Sequence, residues 1–138
     1  MTPEDFPAHV LFDRLRDLGL PQGEYAIFGS GPLAIRGLID RVGDLDILVS
    51  DVAWGIVRGL GAIIMYGDDE TVDLGNGLTF GRSWAYGEPD IGRLIEAAEI
   101  IEGLPFVALE AVVEFKKIAG RSKDIEHLEL LTSAGLIP

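Results

Sequence analysis

Two carboxylates open an apolar run in the first half of the chain, and their spacing constrains the fold more than any other feature. The run reads Gly43-Asp44-Leu45-Asp46-Ile47-Leu48-Val49. Side chains alternate between the two faces of a β-strand, so Asp44 and Asp46 are predicted to point the same way. The apolar remainder is typical of a central strand that is buried on both faces. Two carboxylates that converge at the start of such a strand predict a site for Mg²⁺, which prefers these oxygen ligands.

Short elements with clear boundaries surround this strand. Hydrophobic periodicity and Gly or Pro breaks predict a helix over about 4–18, strand 24–28, helix 33–39, strand 44–49, helix 51–60, strand 62–66, strands 70–74 and 78–80, a short helix after residue 90, an edge hairpin over 100–107, and helices 109–119 and 123–133. A chain of 138 residues is long enough for one compact domain. We therefore expect an α/β (α+β) fold in which residues 1–138 form a single small domain, a mixed β-sheet flanked by helices.

The composition excludes several kinds of site. The chain contains no cysteine and two histidines, which excludes disulfides, thiolate catalysis and zinc sites built on sulfur. Any metal must therefore be held by carboxylates. No apolar stretch approaches the roughly 20 residues that cross a bilayer, and the acidic start is unlike a secretory signal. These features predict a cytoplasmic protein without a membrane partner.

The chain is strongly acidic overall but contains one basic cluster. A net charge of −12 argues against a large nucleic-acid footprint, because such affinity comes from clustered Lys and Arg. A small molecule or a protein is the favoured partner, and tRNA is the nucleic acid that we leave open. The basic cluster lies near the C-terminus and consists of Lys116, Lys117, Arg121 and Lys123.

A second motif lies upstream of the carboxylates. Gly29-Ser30 ends the predicted strand 24–28 and leads into a helix. Backbone N–H groups at the start of a helix favour a phosphate, and small residues allow its close approach. Together the motifs predict a phosphate cradle and a metal clamp that face each other across one crevice. In the alternative interpretation, Gly29-Ser30 is only a turn and the aspartates are a hydrated strand start.

The order and spacing of these motifs resemble the nucleotidyltransferase fold of the DNA polymerase β superfamily. That signature is an apolar residue, Gly, Gly or Ser, a gap of nine to thirteen residues, and then Asp-apolar-Asp-apolar. Here Phe28-Gly29-Ser30 is followed after thirteen residues by Asp44-Leu45-Asp46-Ile47. The resemblance implies Mg²⁺-dependent transfer of a nucleotide from an NTP such as ATP to a hydroxyl or phosphate acceptor, with Asp44 and Asp46 as metal ligands.

The C-terminal region resembles the nucleotidyltransferases found as toxins of abortive-infection systems. The similarity lies in Lys116 and in Arg121-Ser122-Lys123-Asp124, and His127 stands where those relatives carry a further Asp. The resemblance implies nucleotide contacts from Lys116, Arg121 and Lys123, and a toxin–antitoxin setting. A protein partner, such as an antitoxin, and a homodimer both remain open.

Helical periodicity separates the two neighbouring lysines. Lys117 falls on a charged, solvated stripe with Glu110, Glu114 and Arg121. Lys116 instead aligns with an apolar row that is expected to face the protein. It is predicted either to extend its ammonium group outward or to project into a polar cavity.

The activity that this resemblance implies needs a third carboxylate on an adjoining strand, which binds metal or accepts a proton. Asp73 is the candidate, although a role beside a turn explains it equally well. The next predicted strand offers only Thr79 at the position where an acid is expected. Two hypotheses follow: a nucleotidyltransferase that uses Asp44, Asp46, Asp73 and Lys116, or an inactive module that binds nucleotide or a protein partner.

Overall fold

The chain forms a mixed β-sheet with helices on both faces. The computed structural model describes residues 6–83 and 90–138. Within these ranges, none of the helices combines the length and apolar character that crossing a lipid bilayer requires.

The described residues form six helices and nine strands. The helices are α1 (Ala8–Leu18), α2 (Gly31–Ala34), α3 (Asp51–Val57), α4 (Ile91–Glu96), α5 (Leu109–Ala119) and α6 (Ser122–Ser133). The strands are β1 (Phe6–Pro7), β2 (Tyr25–Phe28), β3 (Arg41–Val42), β4 (Leu45–Val49), β5 (Ala62–Tyr66), β6 (Asp69–Asp73), β7 (Leu78–Gly81), β8 (Glu99–Ile101) and β9 (Leu104–Phe106).

Strand β4 occupies the centre of a seven-stranded sheet whose order is β5-β6-β7-β4-β2-β9-β8. It pairs antiparallel with β2 and parallel with β7. Strand β9 adds to β2 in parallel, and antiparallel partners complete the two sides of the sheet. The short strands β1 and β3 pair separately.

Two apolar cores cover the two faces of the sheet. Helices α1 and α3 contribute to one core, α4, α5 and α6 contribute to the other, and the short α2 contacts both. Strand β4 supplies both, since Leu45, Ile47 and Val49 enter the first core and Leu48 enters the second. Alternation therefore places Asp44 and Asp46 on the face of Leu48, which is the face covered by the C-terminal helices.

The mixed α/β architecture predicted from the sequence is confirmed, as are strand 62–66 and helix 109–119. The predicted start of the first helix at residue 4 lies outside the described residues, but the prediction is wrong for residues 6–7, which form β1, so that α1 begins at Ala8. The predicted helix over 33–39 is wrong in extent, because α2 ends at Ala34. The chain then tightens into turns in which Arg36 N–H donates to Leu33 O and Gly37 N–H donates to Ala34 O. The pairing of β1 with β3 was not predicted.

Gly31, the first residue of α2, packs where no side chain fits. A Cβ added there would lie 2.3 Å from Ile27 Cγ2 and 3.1 Å from Leu45 Cδ1. Both neighbours are fully buried in the first core, and Ile27 is β-branched and stiff. We expect Gly31→Ala to lower the free energy of unfolding by about 2 kcal/mol, measured by urea denaturation.

Gly55 on α3 is the matched control, because a Cβ added there meets nothing within 4 Å. Gly55→Ala should raise stability by about 0.5–1 kcal/mol through helix propensity. Equal effects of the two substitutions would contradict the packing described for Gly31.

Candidate functional site

The register of the central strands fixes the surroundings of the carboxylates. Asp46 lies opposite Phe28 of β2 on one side and opposite Thr79 of β7 on the other. Asp44 is exposed just before the start of β4, while Asp46 is half-buried. Both carboxylates therefore lie on one face of the sheet, as the sequence predicts, with Asp46 deeper than Asp44.

The two carboxylates hold their protons more tightly than ordinary aspartates. Burial, and then the neighbouring Asp44 charge, raise the pKa of Asp46 to about 6. Partial burial also raises the pKa of Asp44, and the charge of Asp73 adds to the effect, whereas Lys123 and a hydrogen bond from Thr79 oppose it. Negative charge at this position is thus incompletely compensated by the protein, which favours an added cation.

Gly29 brings the backbone into contact with the deeper carboxylate. Its φ is +69°, and a Cβ built there would lie 2.9 Å from Asp46 Oδ2. Any side chain at this position would occupy the space in front of the carboxylate and strain the backbone. The requirement for a small residue at Gly29, predicted from the sequence, therefore has a specific cause in the approach of Asp46.

Ser30 follows as the residue that precedes α2. Within α2, Pro32 has no N–H and the Leu33 N–H donates to Ser30 O at 3.1 Å, so the Gly31 N–H is the group of this turn that can face a ligand. Helix α2 has only four residues, so its macrodipole contributes little. An anion at this position would depend mainly on individual N–H groups.

Lys116 projects into the protein and not into solvent. Its side chain is 1% exposed, whereas the neighbouring Lys117 is exposed, in agreement with the helical register predicted for α5. Lys116 Nζ lies 2.9 Å from His127 Nδ1 and 3.7 Å from Asp124 Oδ1. Burial lowers the pKa of Lys116 to about 8, while the charge of Asp124 opposes this shift.

Asp124 connects the two C-terminal helices. It is fully buried in the first turn of α6 and accepts hydrogen bonds from Arg121 Nε at 2.7 Å, Arg121 Nη2 at 3.2 Å and the Arg121 backbone N–H at 3.1 Å. Arg121 also lies over the Phe115 ring, with its guanidinium carbon 5.8 Å from the ring centroid. These contacts fix the position of Arg121 at the junction of α5 and α6.

His127 is buried within the same network. Burial, and then the nearby charge of Lys116, lower the pKa of His127 to about 4, so the ring is neutral at pH 7. An ammonium group only donates hydrogen bonds, so Nδ1 of His127 must accept from Lys116. His127, which stands where the abortive-infection relatives carry an Asp, therefore acts as a hydrogen-bond acceptor for Lys116.

A cavity of about 630 Å³ brings these groups together. Carboxylates from β4 line one wall, and cations from the α5–α6 junction line the opposite wall. The predicted site residues that line it are Gly29, Ser30, Asp44, Asp46, Lys116, Arg121 and Lys123. The three cations all lower the pKa of Asp46, so their charge reaches the carboxylates across the cavity.

Asp73 does not line this cavity. It lies opposite Thr79 in the sheet, and its Oδ1 accepts a hydrogen bond from the Gly75 N–H at 2.8 Å in the following turn. The strand next to Asp46 presents Thr79, as the sequence indicated. Among residues 6–83 and 90–138, no group of three or more His, Cys, Asp or Glu side chains is arranged to hold a metal ion.

The sequence did not point to several residues of the cavity lining, namely Tyr66, Gly67, Asp69, Thr71, Ser83 and Phe115. Tyr66 and Asp69 face each other across the β5–β6 hairpin. Asp69 is two positions from Thr71, and both line the cavity from β6. The period-two pattern Asp69, Thr71, Asp73 was the available signal, but it identifies the lining only once the order of the strands is known.

Comparison of the chain with protein-family models, with curated proteins and with solved structures gives no match.

The raised pKa of Asp46 has a consequence for stability. The folded state binds this proton more tightly than the unfolded state, so Asp46 makes stability fall as the pH rises from about 4 to about 6. Asp46→Asn removes this contribution. At pH 7, without divalent cations, we expect the variant to be more stable than the parent by about 2 kcal/mol, measured by urea denaturation with EDTA.

Asp17→Asn is the control, because it removes the same charge from an exposed position on α1. It should shift stability by less than about 0.5 kcal/mol. If Asp46→Asn destabilises the protein at pH 7, the description of Asp46 as an uncompensated carboxylate is wrong.

The Asp124 network predicts a different outcome for a buried acid. Asp124→Asn leaves the Lys116 ammonium buried without a carboxylate and weakens the hydrogen bonds from Arg121. We therefore expect the free energy of unfolding to fall by about 3 kcal/mol. Thermal unfolding at pH 7 measures it, with Glu126→Gln on the exposed side of α6 as the control. Lys116→Met, which removes the buried charge, should cost less than Asp124→Asn; the opposite order would contradict this account.

Proposed function

We propose that the chain is a Mg²⁺-dependent nucleotidyltransferase that passes a nucleotide from an NTP to a hydroxyl or phosphate acceptor. The observation that carries the proposal is the opposition of Asp44 and Asp46 to Lys116, Arg121 and Lys123 across one cavity. A polyphosphate suits such a cavity, because a metal ion held by the carboxylates and the cationic side chains can together neutralise its negative charge. The motif that resembles the DNA polymerase β superfamily supplies the two aspartates, and the motif that resembles the abortive-infection nucleotidyltransferases supplies the three cations.

The carboxylate pair fits a magnesium ion. Mg²⁺ is usually bound by one or two carboxylates, with phosphate oxygens and water completing its octahedral shell. Asp44 and Asp46 offer this number of ligands, and the raised pKa of Asp46 marks unbalanced negative charge. When bound, the ion would supply charge neutralisation for the phosphates and fix their orientation.

The chain's own residues have distinct tasks in this proposal. The backbone at Gly29 and Ser30 lies beside Asp46 and can orient a phosphate without a side chain in the way. Lys123 is exposed and lines the cavity, so it can contact the polyphosphate directly. Lys116 and Arg121 are held by Asp124, which makes them preorganised positive charges.

The transfer itself would be an in-line displacement. The acceptor oxygen forms a bond to the α-phosphorus, and the bond from that phosphorus to the bridging oxygen breaks, so that pyrophosphate leaves. The acceptor proton has to pass to a base. Asp73 is the nearer candidate, because it lies in register with Asp46 through Thr79 and its charge acts on Asp44, whereas Asp69 lines the cavity four residues further along β6.

One observation favours the second candidate function, an inactive module that binds nucleotide. Thr79 stands beside Asp46 where an active relative is expected to carry an acid, and Asp73 is engaged with the Gly75 N–H. Both functions use the same cavity, so binding and turnover have to be measured separately. Release of pyrophosphate from each NTP, with Mg²⁺ and candidate acceptors, distinguishes them: binding without release favours the inactive module.

Titration calorimetry with a panel of NTPs, with and without Mg²⁺, tests the binding site. We expect Mg²⁺-dependent binding in the parent and its loss in Asp44→Ala, with the fold intact by circular dichroism. At 100-fold excess over Kd, a ligand stabilises the folded state by about 2.7 kcal/mol, and the variant should lose this stabilisation.

Two exposed lysines provide a matched pair for the cationic wall. Lys123→Ala should weaken NTP binding about tenfold, because one charge-assisted contact is lost. Lys117→Ala removes the same charge from an exposed position that does not line the cavity, and should leave affinity nearly unchanged. Undiminished binding in Asp44→Ala, or equal losses in the two lysine variants, would exclude this cavity as the site.

A further inference from the structure

The strand β5 forms an open edge of the sheet and is apolar on both faces. Among residues 6–83 and 90–138 it pairs only with β6, and all five of its residues are exposed. Four of them are large hydrophobic residues: Ile63 is 40% exposed, Ile64 39%, Met65 55% and Tyr66 64%. No charged residue occurs between Arg58 and Asp68. An edge of this kind pairs readily with another strand unless the protein protects it.

The opposite edge of the sheet carries the protection that β5 lacks. Strand β8 has three residues and begins with Glu99. The Glu99 carboxylate accepts hydrogen bonds from Arg36 Nη2 at 3.2 Å and from the Leu109 N–H at 3.1 Å. Charge and short length are two of the usual means of blocking an edge. The contrast indicates that β5 is an edge kept available for pairing.

The geometry of the β5–β6 hairpin determines which backbone groups of β5 can pair with a further strand. Its turn has two residues, with Gly67 at φ +63° in the first position, and Tyr66 lies opposite Asp69 at its end. In such a hairpin the closing pair exchanges backbone hydrogen bonds, and the pattern alternates along the strand. Ile64 therefore faces β6, and the N–H and C=O groups of Ile63 and Met65 face the open edge.

We propose that β5 pairs with β5 of a second copy of the chain, antiparallel, about a twofold axis at Ile64. In this register Ile63 of each copy lies opposite Met65 of the other, and these are the residues whose backbone groups are available. The apolar side chains on each face then meet their equivalents. A twofold pairing of one surface with itself is the commonest form of protein dimer.

The charges at the two ends of β5 complement each other in this arrangement. The exposed Arg58 ends α3 just before the strand, and the acidic turn Asp68-Asp69-Glu70 follows it. Antiparallel pairing brings the acidic turn of each copy toward Arg58 of the other, twice over. A parallel pairing would place like charges together, and so the charge pattern selects the antiparallel register.

The size of the surface sets the expected strength. The four exposed apolar side chains of β5 form a small surface, at the low end of specific interfaces. The dimer should therefore form reversibly at micromolar concentrations. It would also complete the rim of the cavity, because Tyr66 lines the cavity and would lie opposite Ala62 of the second copy. The inference depends on the edge strand alone and is independent of nucleotide binding.

The absence of cysteine from the chain permits a direct test of the register. Residues on the axis form a pair without hydrogen bonds, with Cα atoms about 4.5 Å apart, which a disulfide can bridge. Ile64→Cys, oxidised with glutathione disulfide, should give a covalent dimer in high yield. Ile118→Cys, at a position of α5 that is 60% exposed, is the control and should give at least tenfold less.

Sedimentation velocity from 1 to 500 μM tests the dimer in the parent chain and in two variants. Met65→Pro removes an N–H group that faces the open edge, and Met65→Glu adds a charge there. Each substitution should raise the dimer dissociation constant at least tenfold, and circular dichroism checks that the variants fold. A parent that remains monomeric at 500 μM, or equal disulfide yields from the two cysteine variants, would overturn the proposal. A dimer that survives both Met65 substitutions would show that another surface is used.

Discussion

Opposite charges across a partly buried cavity are the constraint on which the structure of the site depends. Asp46 lies at a depth that raises its pKa, and Lys116 lies at a depth that lowers its pKa. Lys116 is one of the cations that lower the pKa of Asp46, whereas its own buried charge is compensated by Asp124. The position of α5 and α6 over the start of β4 therefore sets the charge balance of the site.

Asp124 is central to this charge balance because it binds two cations, Lys116 from α5 and Arg121 from the junction of α5 and α6. It accepts three hydrogen bonds from Arg121 and forms an ion pair with Lys116, and it is itself fully buried. The basic cluster is thus a set of charges with different mobility: Lys116 and Arg121 are held in place, whereas Lys123 and Lys117 are exposed. An overall net charge of −12 conceals this local arrangement.

Periodicity predicted the mixed α/β architecture and the orientation of three of the site residues. Alternation placed Asp44 and Asp46 on one face, helical spacing distinguished Lys116 from Lys117, and Gly or Pro breaks located the strand and helix boundaries. The parallel addition of β9 to β2 was not predictable, because it joins segments far apart in the sequence. The positions of Asp69 and Asp73 relative to the carboxylates were not predictable for the same reason: the register of β6 on β7, which puts Asp73 level with Asp46 through Thr79, depends on the tertiary fold.

The hydrogen bond from Lys116 to His127 leaves the imidazole proton on Nε2, since Nδ1 is occupied as an acceptor. Ring nitrogen chemical shifts distinguish the two tautomers, and the chain has only one other histidine, the exposed His9, as an internal reference. His127 is therefore a native spectroscopic reporter of the protonation state of Lys116, readable by nitrogen NMR without any label attached to the protein beyond the isotope.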